Sequence, residues 1–154
     1  MEIMEVSGGY DPIHLGHMAY KSARKMGGKL VSALNSYEWL TNKKGMLFMP
    51  FTEHEIIIKN LTMVDGVINF EDEEIGSCIK ALEKIKINYP GNEMLFCNFG
   101  NRKKENCPEM ELDVIEFIYG VGVENKENSS SWILKEWKYS SEEDIERLRF
   151  YENN

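Results

Sequence analysis

Ile3-Met4-Glu5-Val6-Ser7-Gly8-Gly9-Tyr10-Asp11-Pro12-Ile13-His14-Leu15-Gly16-His17 is the stretch on which the fold turns. Its start is mostly apolar and ends at Ser7-Gly8-Gly9, the pattern of a short buried strand running into a tight turn. From Leu15 the spacing changes. Leu15, Met18, Ala19, Ala23 and Met26 recur at helical intervals, and Gly27-Gly28 stops the run.

The alternation continues outward. Leu30 to Leu34 reads as a second strand closed by Asn35-Ser36, and a helix begins around Thr52, with Thr52 and Glu55 in capping-box positions. Val67 to Phe70 is a third strand, Ile75 to Ile85 a helix with one apolar stripe, and Met94 to Cys97 a fourth strand. After a polar loop from Asn98 to Pro108, Val114 to Tyr119 is the fifth strand. Ser129 is placed to cap a helix carrying Trp132, Ile133 and Trp137, of which the two tryptophans fit core or dimer packing, and a last polar helix opens at Ser140. Strands alternating with helices imply an α/β fold with a five-stranded parallel sheet covered on both faces. One domain over 1–154 is expected, with 138–154 as a helical extension. Such sheets bind ligands at the carboxyl ends of their strands, so the loops after strands one, four and five are where chemistry is sought.

Composition narrows the function classes. The 154 residues are 42% hydrophobic and 29% charged, ordinary for a globular domain. A net charge of −8 argues against a general nucleic-acid binder but leaves room for a local positive pocket. Cys78, Cys97 and Cys107 form no CxxC or CxxH pair, so free thiols are expected and a zinc site is not. The start MEIMEVSGG lacks the features of a signal peptide, and no apolar run is long enough to span a bilayer. A cytoplasmic protein without membrane insertion is expected.

His14 and His17 stand three apart around Gly16, where the chain enters a helix, which puts both imidazoles on one side of the first turn. Gly16 has no side chain, so a phosphate group is free to approach the backbone. The helix N-terminus adds N–H groups and a partial positive charge. These parts suit a site that holds a nucleoside triphosphate and stabilises charge at its α-phosphorus. A lone histidine at a helix start is usually a cap, and zinc would need a third ligand that is not at usable spacing.

This loop resembles the G-x-F-D-x-x-H-x-G-H signature of the cytidylyltransferase-like nucleotidyltransferases, here written Gly9-Tyr10-Asp11-Pro12-Ile13-His14-Leu15-Gly16-His17. Asn35-Ser36-Tyr37-Glu38-Trp39 is similar to that family's N-S-D-E-W, Lys43-Lys44-Gly45 to its K-K-G, and Val64-Asp65 to its V-D. The likeness to the glycerol-phosphate and heptose-phosphate branches covers about residues 3 to 72.

The resemblance implies a Rossmann-like fold and in-line transfer of a nucleotidyl group, with Mg²⁺ screening the phosphates and held mainly by the triphosphate. CMP from CTP would pass to a phosphorylated or phosphonylated polyol or sugar, and pyrophosphate would leave. ATP as donor is the close alternative, and a nucleotide-binding protein with little turnover is the alternative of another class. By the same resemblance His14, His17 and Lys44 are the catalytic candidates, with the lysine reaching over the phosphates from the loop after strand two. Gly8, Gly9, Tyr10, Asp11 and Gly16 would line the nucleotide. Ser129, Ser130 and Ser131 match the serine- and threonine-rich element that binds the triphosphate from a helix N-terminus. A homodimer is expected on the same ground.

Departures from the pattern concern the acceptor. Phe99 and Asn101 stand where N-G-G-D-R has glycine and aspartate, beside Arg102, which suits a bidentate phosphate contact or a solvated basic loop. His54 stands where E-R-x-x-I has arginine, and a neutral imidazole does not reproduce that guanidinium fork. Asp11, Phe99, Asn101, Arg102 and His54 are therefore the candidate contacts for acceptor or phosphate.

Overall fold

The computed structural model describes residues 1–72, 76–98, 107–112, 115–121 and 128–138. The expected contacts Phe99, Asn101 and Arg102, and the polar helix from Ser140, lie outside the described residues.

Among the described residues five strands form one sheet: β1 (Glu2–Gly8), β2 (Lys29–Leu34), β3 (Gly66–Asn69), β4 (Glu93–Cys97) and β5 (Ile115–Ile118). Every pairing is parallel and the order is β3-β2-β1-β4-β5. The chain therefore winds outward in both directions from β1, and the order reverses between β1 and β4. That reversal opens a crevice at the carboxyl ends of these two strands. The Rossmann-like α/β expectation holds.

The period of two in the strands sorts the side chains onto two faces. Met4 lies in register with Leu30 and Leu95, and the three join one core with Val6, Leu34, Tyr20, Ala23 and Ile58. Ile3, Val31, Ala33, Met94 and Phe96 point the other way, into a core closed by Ala81, Leu82 and Ile85. The first core is covered by α1 (Tyr20–Lys25) and α3 (Phe51–Lys59), the second by α4 (Ile79–Asn88). Full burial of Leu30, Leu34 and Ile58 stabilises the fold by about 1.5–3 kcal/mol each.

Several elements differ from the sequence expectation. The first helix starts as a tight 3₁₀ turn, Leu15–Ala19, before becoming α-helical, and Leu15 is 70% exposed rather than on the apolar stripe. An additional helix, α2 (Tyr37–Lys44), fills what reads as a loop, so Lys44 sits in a last helical turn. Ser36 caps it by accepting Trp39 N–H at 3.2 Å, and Gly45 ends it at φ 77, the left-handed conformation that glycine adopts without a Cβ penalty. The capping box at Thr52 and Glu55 is absent. Pro50 precedes α3 without a side-chain cap, and Glu55 pairs instead with Lys59 one turn on, at 2.6 Å.

α4 begins at Ile79, where the Glu109 carboxylate accepts the Cys78 N–H at 2.9 Å from a 3₁₀ turn, Pro108–Glu111. Cys78, Cys97 and Cys107 are free and buried, and burial is the main force raising each thiol's pKa above its ordinary value. Ser129 caps α5 (Ser130–Lys138) by accepting Trp132 N–H at 3.1 Å. Trp132 and Trp137 are 49% and 52% exposed, so the core role expected for them is not found; α5 turns Leu134 inward instead.

Candidate active site

The loop leaving β1 at the crevice is built from backbone hydrogen bonds that the two histidines complete. His14 Nδ1 accepts Gly16 N–H at 3.0 Å, and His17 Nδ1 accepts His14 N–H at 3.1 Å. This is a capping box in which both partners are imidazoles. A ring nitrogen that accepts a backbone N–H carries no proton, so in the neutral rings the proton lies on Nε2. Both histidines are thus fixed as Nε2–H donors, with ring centroids 4.0 Å apart. Burial, then the neighbouring His14 and Lys44, lowers the His17 pKa to about 3, so this ring is neutral over the working pH range.

Gly16 is required by closeness. A Cβ there would stand 2.7 Å from His14 Cε1 and 3.0 Å from its Nδ1. Gly9 meets the same limit on the other side, where a Cβ would lie 2.6 Å from Leu40 Cδ2 and 3.6 Å from Lys44 Nζ. The absence of that Cβ lets α2 seat against the loop.

Tyr10 has a left-handed backbone, φ 49, uncommon for a residue with a side chain and costing about 1–2 kcal/mol. Its buried ring packs edge-on to His17 at 5.0 Å and Tyr20 at 5.4 Å, and its hydroxyl donates to the Val6 carbonyl at 3.2 Å. Asp11, 0% exposed, accepts Phe48 N–H at 2.8 Å and Met49 N–H at 3.2 Å. Its carboxylate thereby ties the segment after α2 to the loop.

Lys44 donates from Nζ to the Asp11 carbonyl. Burial lowers its pKa below the usual lysine value, while Asp11 acts in the opposite sense. Ser130 donates from Oγ to the Pro12 carbonyl at 2.7 Å, and the Asn128 carbonyl lies 3.8 Å from where a Cβ on Gly16 would be. The start of α5 is therefore pressed against the histidine turn. Ser129 is occupied as the helix cap, Ser130 as the clamp on Pro12, and Ser131 is exposed.

The structure thus gathers Gly8, Gly9, Tyr10, Asp11, His14, Gly16, His17, Lys44, His54 and Ser130 around one loop, with Ser129 next in the chain and Ser131 exposed on the helix. Sequence reading missed the helix that carries Lys44, although Ser36 three residues before Trp39 and Gly45 past the end were its start and stop signals. It also missed Asp72, which binds the Asn35 side chain and accepts Ser36 N–H at 2.6 Å, fixing the entry to α2. Nothing in local spacing marks such a contact across 36 residues.

The family model described as cytidylyltransferase-like matches residues 6–142. The bifunctional protein HldE of Psychromonas ingrahamii is 32% identical over 75 residues, which are 47% of this chain and 16% of that protein. The chain thus aligns with about a sixth of that relative's length. The crystal structure of the lipopolysaccharide core biosynthesis protein from Thermoplasma volcanium superposes with a TM-score of 0.57 at 17% identity, covering 80% of this chain and 98% of that one. At that identity the likeness is one of fold.

Proposed function

This chain belongs to the cytidylyltransferase-like family, and on that premise we propose that it transfers CMP from CTP to a phosphorylated or phosphonylated polyol or sugar. The observation that carries the reading is the reciprocal His14–His17 cap, which fixes two neutral Nε2–H donors beside a glycine that keeps the backbone open. An oxygen of the acceptor's phosphate or phosphonate attacks the α-phosphorus. The new P–O bond forms as the bond to the β-phosphate oxygen breaks, and pyrophosphate leaves with the electron pair. Charge grows on the α- and β-phosphate oxygens, where prepositioned donors matter most.

In this reading His14 and His17 donate to those oxygens, and loss of either costs about 10²–10³ in rate. Lys44, at the end of α2, supplies a positive charge within reach of the loop. The start of α5 adds backbone N–H groups. Mg²⁺ enters as a companion of the triphosphate. Among the described residues no three His, Cys, Asp or Glu side chains come together as ligands, and Asp11 already accepts two amides.

The half-exposed Trp132 and Trp137, the latter against Phe48 at 5.3 Å, support a homodimer, which size-exclusion chromatography with light scattering tests. Among the described residues no helix is long and apolar enough to cross a membrane.

Pyrophosphate release from each of the four ribonucleoside triphosphates, with Mg²⁺ and a panel of phosphorylated polyols, sugars and phosphonates, tests the reaction. The wild type is compared with a His14→Ala, His17→Ala double variant. Release with CTP that needs an acceptor and disappears in the variant is expected. Release with ATP alone moves the protein to the adenylyl branch, and nucleotide binding without release points to a non-catalytic role.

A further inference from the structure

We infer that Asp72 is a positioning residue that sets the place of Lys44 from the opposite end of α2. The inference takes the role of Lys44 from the proposed transfer reaction and adds what holds that lysine in place.

α2 is weakly seated by its own side chains. Leu40 is its one buried residue. That side chain rests on the ligand loop, where a Cβ on Gly9 would stand 2.6 Å from its Cδ2. A short helix held by one buried apolar contact rocks about it unless both ends are fixed. At the far end Lys44 donates to the Asp11 carbonyl. At the near end the segment after β3 supplies the fixing group. One Asp72 oxygen accepts Ser36 N–H at 2.6 Å, and the other accepts from the Asn35 side chain. Trp39 touches the same segment, since a Cβ on Gly76 would lie 3.1 Å from the indole Cζ2. These contacts reach across the chain, so they tie α2 to the end of β3 rather than to itself.

Leu40 lies midway between Ser36 and Lys44, so the helix acts as a balanced lever. At about 1.5 Å of rise per residue, each arm is about 6 Å long. A shift of about 1 Å at the Ser36 end therefore moves the Lys44 backbone by about 1 Å in the opposite sense. Misplacement on that scale, caused by a change remote from the chemistry, costs about 10²-fold in rate. Asp72 thus acts through Lys44 and needs no contact with nucleotide or acceptor.

Two variants separate this role from a ligand contact. Asp72→Ala removes both bonds. Asp72→Asn keeps an oxygen for Ser36 N–H, and its NH₂ meets the Asn35 oxygen once that amide turns over. In the pyrophosphate assay Asp72→Ala is expected to lower kcat by roughly ten- to a hundredfold, with little change in the KM for acceptor. Asp72→Asn should recover most of that loss. In a Lys44→Ala background, Asp72→Ala should cost less than about threefold more, because its route to the reaction is already gone. A full further loss in that background, a raised acceptor KM at unchanged kcat, or equal impairment of the alanine and asparagine variants would overturn the inference.

A second readout does not depend on turnover. Burial holds Lys44 below the usual lysine pKa, with Asp11 acting against it and Lys43 with it. In a lysine-selective NMR titration, the Lys44 signal is identified by its absence in Lys44→Arg. It should titrate nearer the ordinary lysine value in Asp72→Ala and return to the wild-type value in Asp72→Asn. Asn35→Ala, which leaves the Ser36 bond in place, should show a smaller change of the same sign and serves alone if Asp72→Ala does not fold. A Lys44 that does not move in these variants would sink the idea even in an active enzyme. Wild-type silence across the substrate panel would defeat the proposed reaction and leave the titration to decide the role of Asp72.

Discussion

Replacing Gly16 with alanine puts the proposed donor geometry to a quantitative trial. The new Cβ would stand 2.7 Å from His14 Cε1 and 3.0 Å from Nδ1. Carbon atoms in contact sit about 3.5–4.0 Å apart, so the ring must retreat by roughly 1 Å. The Asn128 carbonyl, at 3.8 Å from the new carbon, demands no such shift. Moving the ring breaks the bond from Gly16 N–H that holds the Nε2–H donor in place. A displacement of about 1 Å at a reacting group costs about 10²-fold in rate, which corresponds to about 2.7 kcal/mol of transition-state stabilisation. The fold should lose far less. Loss of the cap costs about 1 kcal/mol, which for a domain of this size lowers Tm by about 2–4 °C. The assay pairs kcat/KM from pyrophosphate release with calorimetric Tm on the same preparation. A variant within about threefold of wild type would refute the reasoning, since the ring would then tolerate the displacement. A collapse of Tm by more than about 10 °C would show that Gly16 serves folding and that its effect on rate is indirect.

Two further outcomes follow from buried groups near the same loop. Asp11→Asn keeps one acceptor oxygen but turns an NH₂ toward Phe48 or Met49 N–H, and should cost about 1–3 kcal/mol, read as a lower urea midpoint; an unchanged midpoint would remove the anchoring role. Stability should also fall in mild acid through His17. Its folded pKa of about 3 lies below the unfolded value near 6.5, so as pH drops through that window the unfolded state takes up the proton first. The loss approaches about 1.4 kcal/mol per pH unit, is absent above about pH 6.5, and should be smaller in His17→Gln when urea midpoints at pH 7.5 and 5 are compared. Equal pH slopes in the two proteins would contradict the buried, neutral His17.

Local pattern made the strands legible, because they are apolar on both faces of a doubly covered sheet, with Met4, Val6, Leu30 and Leu34 on one face and Ile3, Val31 and Ala33 on the other, and need no distant partner to be read. The same is true of the loop, whose glycines and histidines sit within the ten residues from Gly8 to His17. The α2 helix was illegible for a physical reason. Only Leu40 of its residues is buried, so no apolar stripe announces it.

By itself, then, the sequence determined a parallel α/β sheet, the place of its ligand loop and the residue types available there, since these follow from short-range periodicity and from what glycine and histidine permit. The tertiary structure alone decided which backbone amides the His14 and His17 rings accept and what the other side chains around the loop are free to do. Asp11 faces backbone amides 37 and 38 residues away, Lys44 reaches a carbonyl 33 residues back, and Ser130 reaches one 118 residues back. Hydrogen bonds across such distances depend on packing that brings helices onto one loop, and no spacing along the chain encodes them.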